Sequence, residues 1–396
     1  MARSARTARP KLVVAVCFLI AALEGYDIQA FGVAAPRLAP ELGLNAGQVG
    51  WAASAAMIGL VLGAFAGGWA ADRTGRRPIL LGSTACFGLF SIATAYAPDY
   101  GFLLLARFLT GLGFGGAMPN LIAIAAEISR PERRAATTSA MFCGMPAGGA
   151  AVALLTQLGG EAVDWRAIFL LGGALPLLIA PVIAFLLPET RPQRAPGADR
   201  RLLPALFGEG RAVPTLLLWA VNMLTLLVLY LMLNWLPTLV VAKGHGPGEG
   251  ASAALAFNLV GVAGALLLGQ AVDRAGFRWT LVAAYVALAG AMAALEFAAG
   301  APEILLFSAL AGFMVLGAQY ALYALAPTLY AAEVRAAGAG AAVGVGRFGS
   351  IIGPLLAGEL RQAGWSAGQV LGAMLPVALA AAVAVFVLTS LTRRPG

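Results

Sequence analysis

Apolar residues along this chain fall in long unbroken blocks, without the alternation of a half-buried strand or the single stripe of a surface helix. A window of about 19 residues picks out twelve blocks: 12–35, 48–71, 78–97, 101–126, 137–158, 165–187, 213–242, 251–271, 279–298, 303–329, 338–360 and 367–391. Each is long enough to cross a hydrocarbon core of roughly 30 Å, and a helix satisfies its own backbone polar groups where water is absent. The pattern predicts an all-α membrane protein with twelve transmembrane helices and no room for a soluble globular domain. The basic N-terminal segment RSARTARPK followed by apolar residues has the outline of a secretory signal. Its apolar run is far longer than an h-region of about 7–15 residues, so it reads as an uncleaved first span.

The polar connections contain a repeat. GGWAADRTGRRP after the second block matches LGQAVDRAGFRW after the eighth: Gly68, Asp72, Arg73, Gly75 and Arg77 recur as Gly269, Asp273, Arg274, Gly276 and Arg278 at a constant offset of 201. A fainter echo pairs AAEISRPERR after the fourth block with AAEVRAAG after the tenth. Two pseudo-symmetric six-helix bundles are expected, at 1–187 and 212–396, repeated in parallel. Residues 188–211, rich in Pro and Arg, are too polar to enter the bilayer and form the expected linker.

Composition agrees, with 60% of the 396 residues hydrophobic and 11% charged against roughly 25% charged in soluble proteins. Of the 26 Lys and Arg, 20 sort to the side of the N-terminus and four, Arg37, Arg166, Lys243 and Arg361, to the other. That bias places both termini in the cytoplasm. The net charge of +8 is then topogenic, and nucleic acid is not an expected partner. Lys11 and Lys243 are the only lysines and neither lies in a GxxxxGK[ST] context, so no P-loop exists. Cys17, Cys86 and Cys143 lie in separate blocks and His245 is the sole histidine, which supports no disulfide framework, metal site or cofactor. Gly111, Gly113, Gly115 and Gly116 follow no strand, and their spacing inside an apolar helix suits close helix packing.

Against this background the stretch EGYDIQAFG stands out, because it sets Glu24 and Asp27 inside the first block. An ionised carboxylate at that depth costs at least ~2.5 kcal/mol on the insertion scale. Residues three apart share a helix face, and burial with mutual repulsion favours groups that take up and release protons. Two arginines also fall within blocks, Arg107 at the start of the fourth and Arg347 in the eleventh. A guanidinium holds a carboxylate through two parallel hydrogen bonds, which a lysine cannot do. Arg347 is expected to anchor a substrate carboxylate, and Arg107 to pair with Asp27 and release it when substrate arrives. Flat walls and polar contacts for a ring are offered by Tyr26, Asn120, Met141, Asn222, Tyr230, Asn234, Trp235, Gln319, Tyr320 and Tyr323; the bland alternative for each is an inter-helix hydrogen bond or packing.

The loop GxxxDRxGRR resembles the signature of the major facilitator superfamily. RFLTGLGFGGAMPNLIAIAAEISRPERR from Arg107, with the paired acids of the first block, is similar to the aromatic acid:proton symporter family. CFLIAALEGYDIQAFGVAA, LMLNWLPTLV, LYALAPTLY and VGRFGSIIGPLLAG resemble the branch that carries hydroxyphenylpropionates; Glu24 departs from the family's commoner Asp. The resemblance implies a major facilitator fold and a secondary transporter, not an enzyme. It would import a small aromatic carboxylate with H+ across the bacterial inner membrane by alternating access, as a monomer. The substrate implied is 3-(3-hydroxyphenyl)propionate or a related hydroxylated aromatic acid. Asp27 and Glu24 would couple the proton. A cytoplasmic gate would be formed by Gly68, Asp72, Arg73, Gly75, Arg76, Arg77, Glu127, Asp273, Arg274, Glu333 and Arg335. An efflux antiporter for organic anions or drugs has the same loop signature, but is not expected to share the motifs of the first and fourth blocks.

Overall fold

The computed structural model describes residues 10–128, 141–160, 163–186, 202–208, 210–330 and 334–392, and no strand occurs among them. The helices are α1 (Pro10–Glu41), α2 (Ala46–Thr74), α3 (Arg76–Ala95), α4 (Tyr100–Ile128), α5 (Gly144–Gly159), α6 (Trp165–Leu186), α7 (Leu202–Phe207), α8 (Ala212–Ala242), α9 (Pro247–Phe297), α10 (Ala301–Leu325), α11 (Arg335–Gln362), α12 (Ala367–Gly372) and α13 (Met374–Leu391), with a 3-10 turn at Ala326–Leu329. Among the described residues ten helical stretches are long and apolar enough to cross a membrane.

That number differs from the twelve expected crossings for two identifiable reasons. α9 carries both the eighth and the ninth block in 51 residues, about 75 Å if straight, and it bends at Gly276. The fifth block begins in residues outside those described, leaving α5 with 16 residues.

The chain forms two compact units, Met1–Gln193 and Arg194–Gly396. In the first, α2 and α3 pack on α4, α1 on α5, and α3 on α6; in the second, α9 packs on α10 and α13, and α8 on α11. The sequence repeat is visible in the backbone of both. Gly75 has φ 97° and ψ 162°, and Gly276 has φ 77° and ψ 166°. Only glycine takes this conformation without strain, so each copy of the loop motif turns the chain at the same point.

The packing repeats with the same offset of 201 residues. A methyl group added at Gly111 would strike the Ala56 carbonyl, and one at Gly312 the Phe257 carbonyl. Gly63 lies against Leu112 as Gly264 lies against Phe313, and Gly148 against Ala22 as Gly349 against Met223. Lipid gives helices no hydrophobic reason to associate, so missing side chains that bring backbones together supply the attraction. The glycines of the fourth block are thus packing residues, as their spacing implies.

The four basic residues expected on the side away from the N-terminus are all engaged. Arg37 donates to the carbonyls of Val163 (2.6 Å) and Gly160 (2.7 Å), at the C-terminal end of α5. Lys243 donates to those of Leu295, Glu296 and Ala298 at 2.7–2.9 Å, capping the end of α9. Arg166 pairs with Glu41, which also accepts from Trp165 Nε1 at 2.6 Å. Arg361 donates to the Trp365 carbonyl at 2.6 Å. The last carbonyls of a helix lack intrahelical donors and carry the negative end of its dipole, which accounts for cations at two of these ends.

Candidate functional site

α1 brings Glu24 and Asp27 into the interior of the first unit, where they are 2% and 1% exposed. Arg107 of α4 is equally buried and donates through Nη1 to Asp27 Oδ2 at 2.8 Å. The other carboxylate oxygen, Oδ1, accepts from Ser91 Oγ of α3 at 2.8 Å. Three helices therefore meet on one carboxylate. The guanidinium lies 5.1 Å from the Phe31 ring centroid and 5.8 Å from that of Phe169, distances at which ring faces attract a cation. Its Nε–H makes no hydrogen bond. The charges are buried and compensate each other beside two aromatic rings, and removal of either partner leaves the other desolvated.

α1 packs closely on its neighbour α5 because a glycine stands on one helix or the other at each point of contact. Gly25 has its Cα against the Met145 backbone, and Gly148 faces Ala22. Tyr26, between the two acids, donates its hydroxyl to the Ile168 carbonyl at 3.1 Å and is held to α6.

The second unit shares this scaffold and carries different chemistry. Arg347 of α11, half-buried, donates to the Tyr230 hydroxyl of α8 at 2.8 Å. Gln319 of α10 donates to Asn222 Oδ1 of α8 at 3.3 Å, both side chains being buried. Asn222 and Asn234 each donate to the carbonyl four residues earlier on α8, Leu218 and Tyr230, at 2.9 Å. The rings of Tyr320 and Tyr323 meet edge to face, centroids 6.1 Å apart.

Other sequence candidates occupy supporting places. Trp235 donates to the Pro354 carbonyl at 2.9 Å and ties α8 to α11. Asn120 donates to the Gly116 carbonyl of its own helix at 2.8 Å. Met141 is buried in an apolar cluster with Val13, Cys17, Ile20 and Leu121. Of the expected gate, Asp72, Arg73, Asp273, Arg274 and Arg335 are exposed, Gly68, Arg76 and Arg77 half-exposed. Arg73 stacks over Trp69, 3.6 Å from the ring centroid. Glu333 and the Glu127 side chain lie outside the described residues.

Sequence reading missed Ser91, Phe31 and Phe169. Phe31 follows Asp27 by four residues on α1, a spacing that shares a helix face and could have marked it. Ser91 and Phe169 carry no local signal, and only tertiary contacts of α3 and α6 bring them to the ion pair.

Buried counter-charges within a multi-helix bundle, repeated packing in two units and loops that turn at paired glycines together define a polytopic membrane protein of transporter architecture. The particular family follows from comparison: the Major Facilitator Superfamily profile matches residues 17–295, and the chain belongs to that superfamily. It is 41% identical to the 3-(3-hydroxy-phenyl)propionate transporter of Escherichia coli K12, over 98% of this chain and 96% of the relative. The 4-hydroxybenzoate transporter PcaK of Pseudomonas putida is 34% identical over 95% of this chain and 91% of its own. The gallate transporter of the same species is 33% identical, over 89% and 86%. Among solved structures, a D-xylose-proton symporter superposes with a TM-score of 0.76 at 18% identity, covering 94% of this chain and 96% of its own. At that identity the likeness concerns the fold alone.

Proposed function

We propose that this chain is a proton-coupled symporter that imports an aromatic carboxylate, 3-(3-hydroxyphenyl)propionate or a related hydroxylated acid, by alternating access. The observation that carries this reading is the buried Asp27–Arg107 pair, in a chain 41% identical to a hydroxyphenylpropionate transporter. We place it in the bacterial inner membrane, acting as a monomer, with both termini cytoplasmic and residues 188–211 linking bundles 1–187 and 212–396.

Protonation of Asp27 removes the charge that holds Arg107 and frees the guanidinium. Loss of the proton restores the pair. Glu24, one turn away on α1, is a second titrating group or shapes the site. Arg347, oriented by Tyr230, takes the substrate carboxylate, and the buried amides and tyrosines contact the ring. The glycine-rich loops with Asp72 and its partners act as the cytoplasmic gate. A monoanion entering a negative cell works against ~2.3 kcal/mol per 100 mV. One proton per anion cancels that charge and leaves the pH gradient as the drive; a second would recruit the potential as well.

Uptake of radiolabelled hydroxyphenylpropionate and hydroxybenzoates into cells lacking their own permeases tests the reading. Accumulation should collapse with an uncoupler and be strongly weakened by Arg347→Lys. Failure of all these acids to accumulate, or equal accumulation with the uncoupler present, overturns it.

A further inference from the structure

Amide side chains in the second unit are held in one orientation by acceptors that cannot exchange roles. The Leu218 carbonyl can only accept, so Asn222 must turn its Nδ2 toward it and present Oδ1 outward. That oxygen can only accept in turn, so Gln319 must offer Nε2. The remaining atom of the chain of bonds, Gln319 Oε1, is buried and has no hydrogen-bond donor, on a residue only 3% exposed. A buried carbonyl oxygen left in this state is costly, and native structures rarely keep one without a reason.

The position of this acceptor is informative. Asn222 packs against Gly346, where an added Cβ would lie 3.0 Å from its Cβ, and the next residue is Arg347. The fixed acceptor and the cation therefore belong to one polar region built by α8, α10 and α11. From these contacts we infer that Gln319 Oε1 accepts a hydrogen bond from the ring hydroxyl of the substrate and selects hydroxylated over unsubstituted aromatic acids. This rests on the proposed aromatic acid transport and adds the group that reads the ring. A site that hydrogen-bonds a substrate hydroxyl rejects the analogue lacking it, because the buried acceptor then stays unpaired.

The test is binding to the purified full chain of three ligands: 3-(3-hydroxyphenyl)propionate, 3-phenylpropionate, and 3-(3-methoxyphenyl)propionate, whose ether oxygen cannot donate. The phenol should bind about 10-fold or more tighter than either other acid. Gln319→Leu should bring the three within about 2-fold, by removing the acceptor that favours the phenol. Asn222→Ala, which releases the Gln319 amide to turn, should reduce the preference in the same direction and serves if the leucine variant does not fold. Equal affinities in the unmodified protein would mean that a structural water satisfies Oε1, and would overturn the assignment. So would a preference retained in a folded Gln319 variant. Equal binding of all three acids leaves aromatic acid transport standing, whereas binding of none refutes both readings.

Discussion

Asp27 Oδ2 lies 2.8 Å from Arg107 Nη1, and both side chains are 1% exposed. Breaking such a pair by removing one partner costs about 3–5 kcal/mol, because a desolvated charge is left uncompensated, while replacing both with neutral groups is often tolerated. Asp27→Asn should abolish acid-driven accumulation and lower thermal stability. The double variant Asp27→Asn with Arg107→Gln should recover much of the stability and none of the coupling. Thermal melts of detergent-solubilised protein beside uptake assays separate the two effects, and normal pH-driven uptake by Asp27→Asn would remove that residue from the proton path.

Ser91 donates to the same carboxylate through its hydroxyl at 2.8 Å. Ser91→Ala should leave Asp27 Oδ1 without this donor and destabilise the protein by about 1 kcal/mol, the net contribution of one hydrogen bond, or somewhat more because the acceptor is buried. Thermal melts of detergent-solubilised protein check this, and an unchanged melt contradicts the role of Ser91 in holding the carboxylate.

Gly148 and Gly349 occupy matching places against the carbonyls of Ala22 and Met223. Gly148→Ala and Gly349→Ala should each force the helices apart, at about 1–3 kcal/mol for overpacking. Control substitutions at Gly68 and Gly269, where an added Cβ meets nothing, should leave the melting temperature nearly unchanged. Comparable melts for all four variants would refute the packing argument.

Lys243 lies outside the apolar spans, and burial holds its ammonium below the ordinary 10.5, against an opposing pull from Glu296. The folded state therefore releases this proton at lower pH than the unfolded chain. Between those two values the unfolded state binds more protons, so the contribution of Lys243 to stability rises with pH. Lys243→Met should lose the three carbonyl bonds and melt lower. The gap between unmodified protein and variant should widen as pH rises toward 10.5, and a gap that narrows would reverse the assignment of burial as the dominant influence.

The sequence by itself determined that the chain crosses a membrane many times as helices, because block length and the absence of polar residues leave no other way to satisfy the backbone. It determined the repeat as well: the glycines of DRTGRR and DRAGFR mark the two places where the chain must turn through a conformation that side chains resist. It also singled out Glu24, Asp27, Arg107 and Arg347, since charge in hydrocarbon is too costly to be incidental. Local sequence does not state which of these meet. Glu24 and Asp27 are equivalent by spacing, yet Asp27 receives the Arg107 and Ser91 hydrogen bonds because the side chains of α4 and α3 reach α1 at that level. Gln319 and Asn222 are 97 residues apart, and only the packing of α8 against α10 fixes both amides and leaves one oxygen without a donor. A charge in an apolar block is visible residue by residue; the partner that makes it useful depends on where helices cross, which side-chain packing decides.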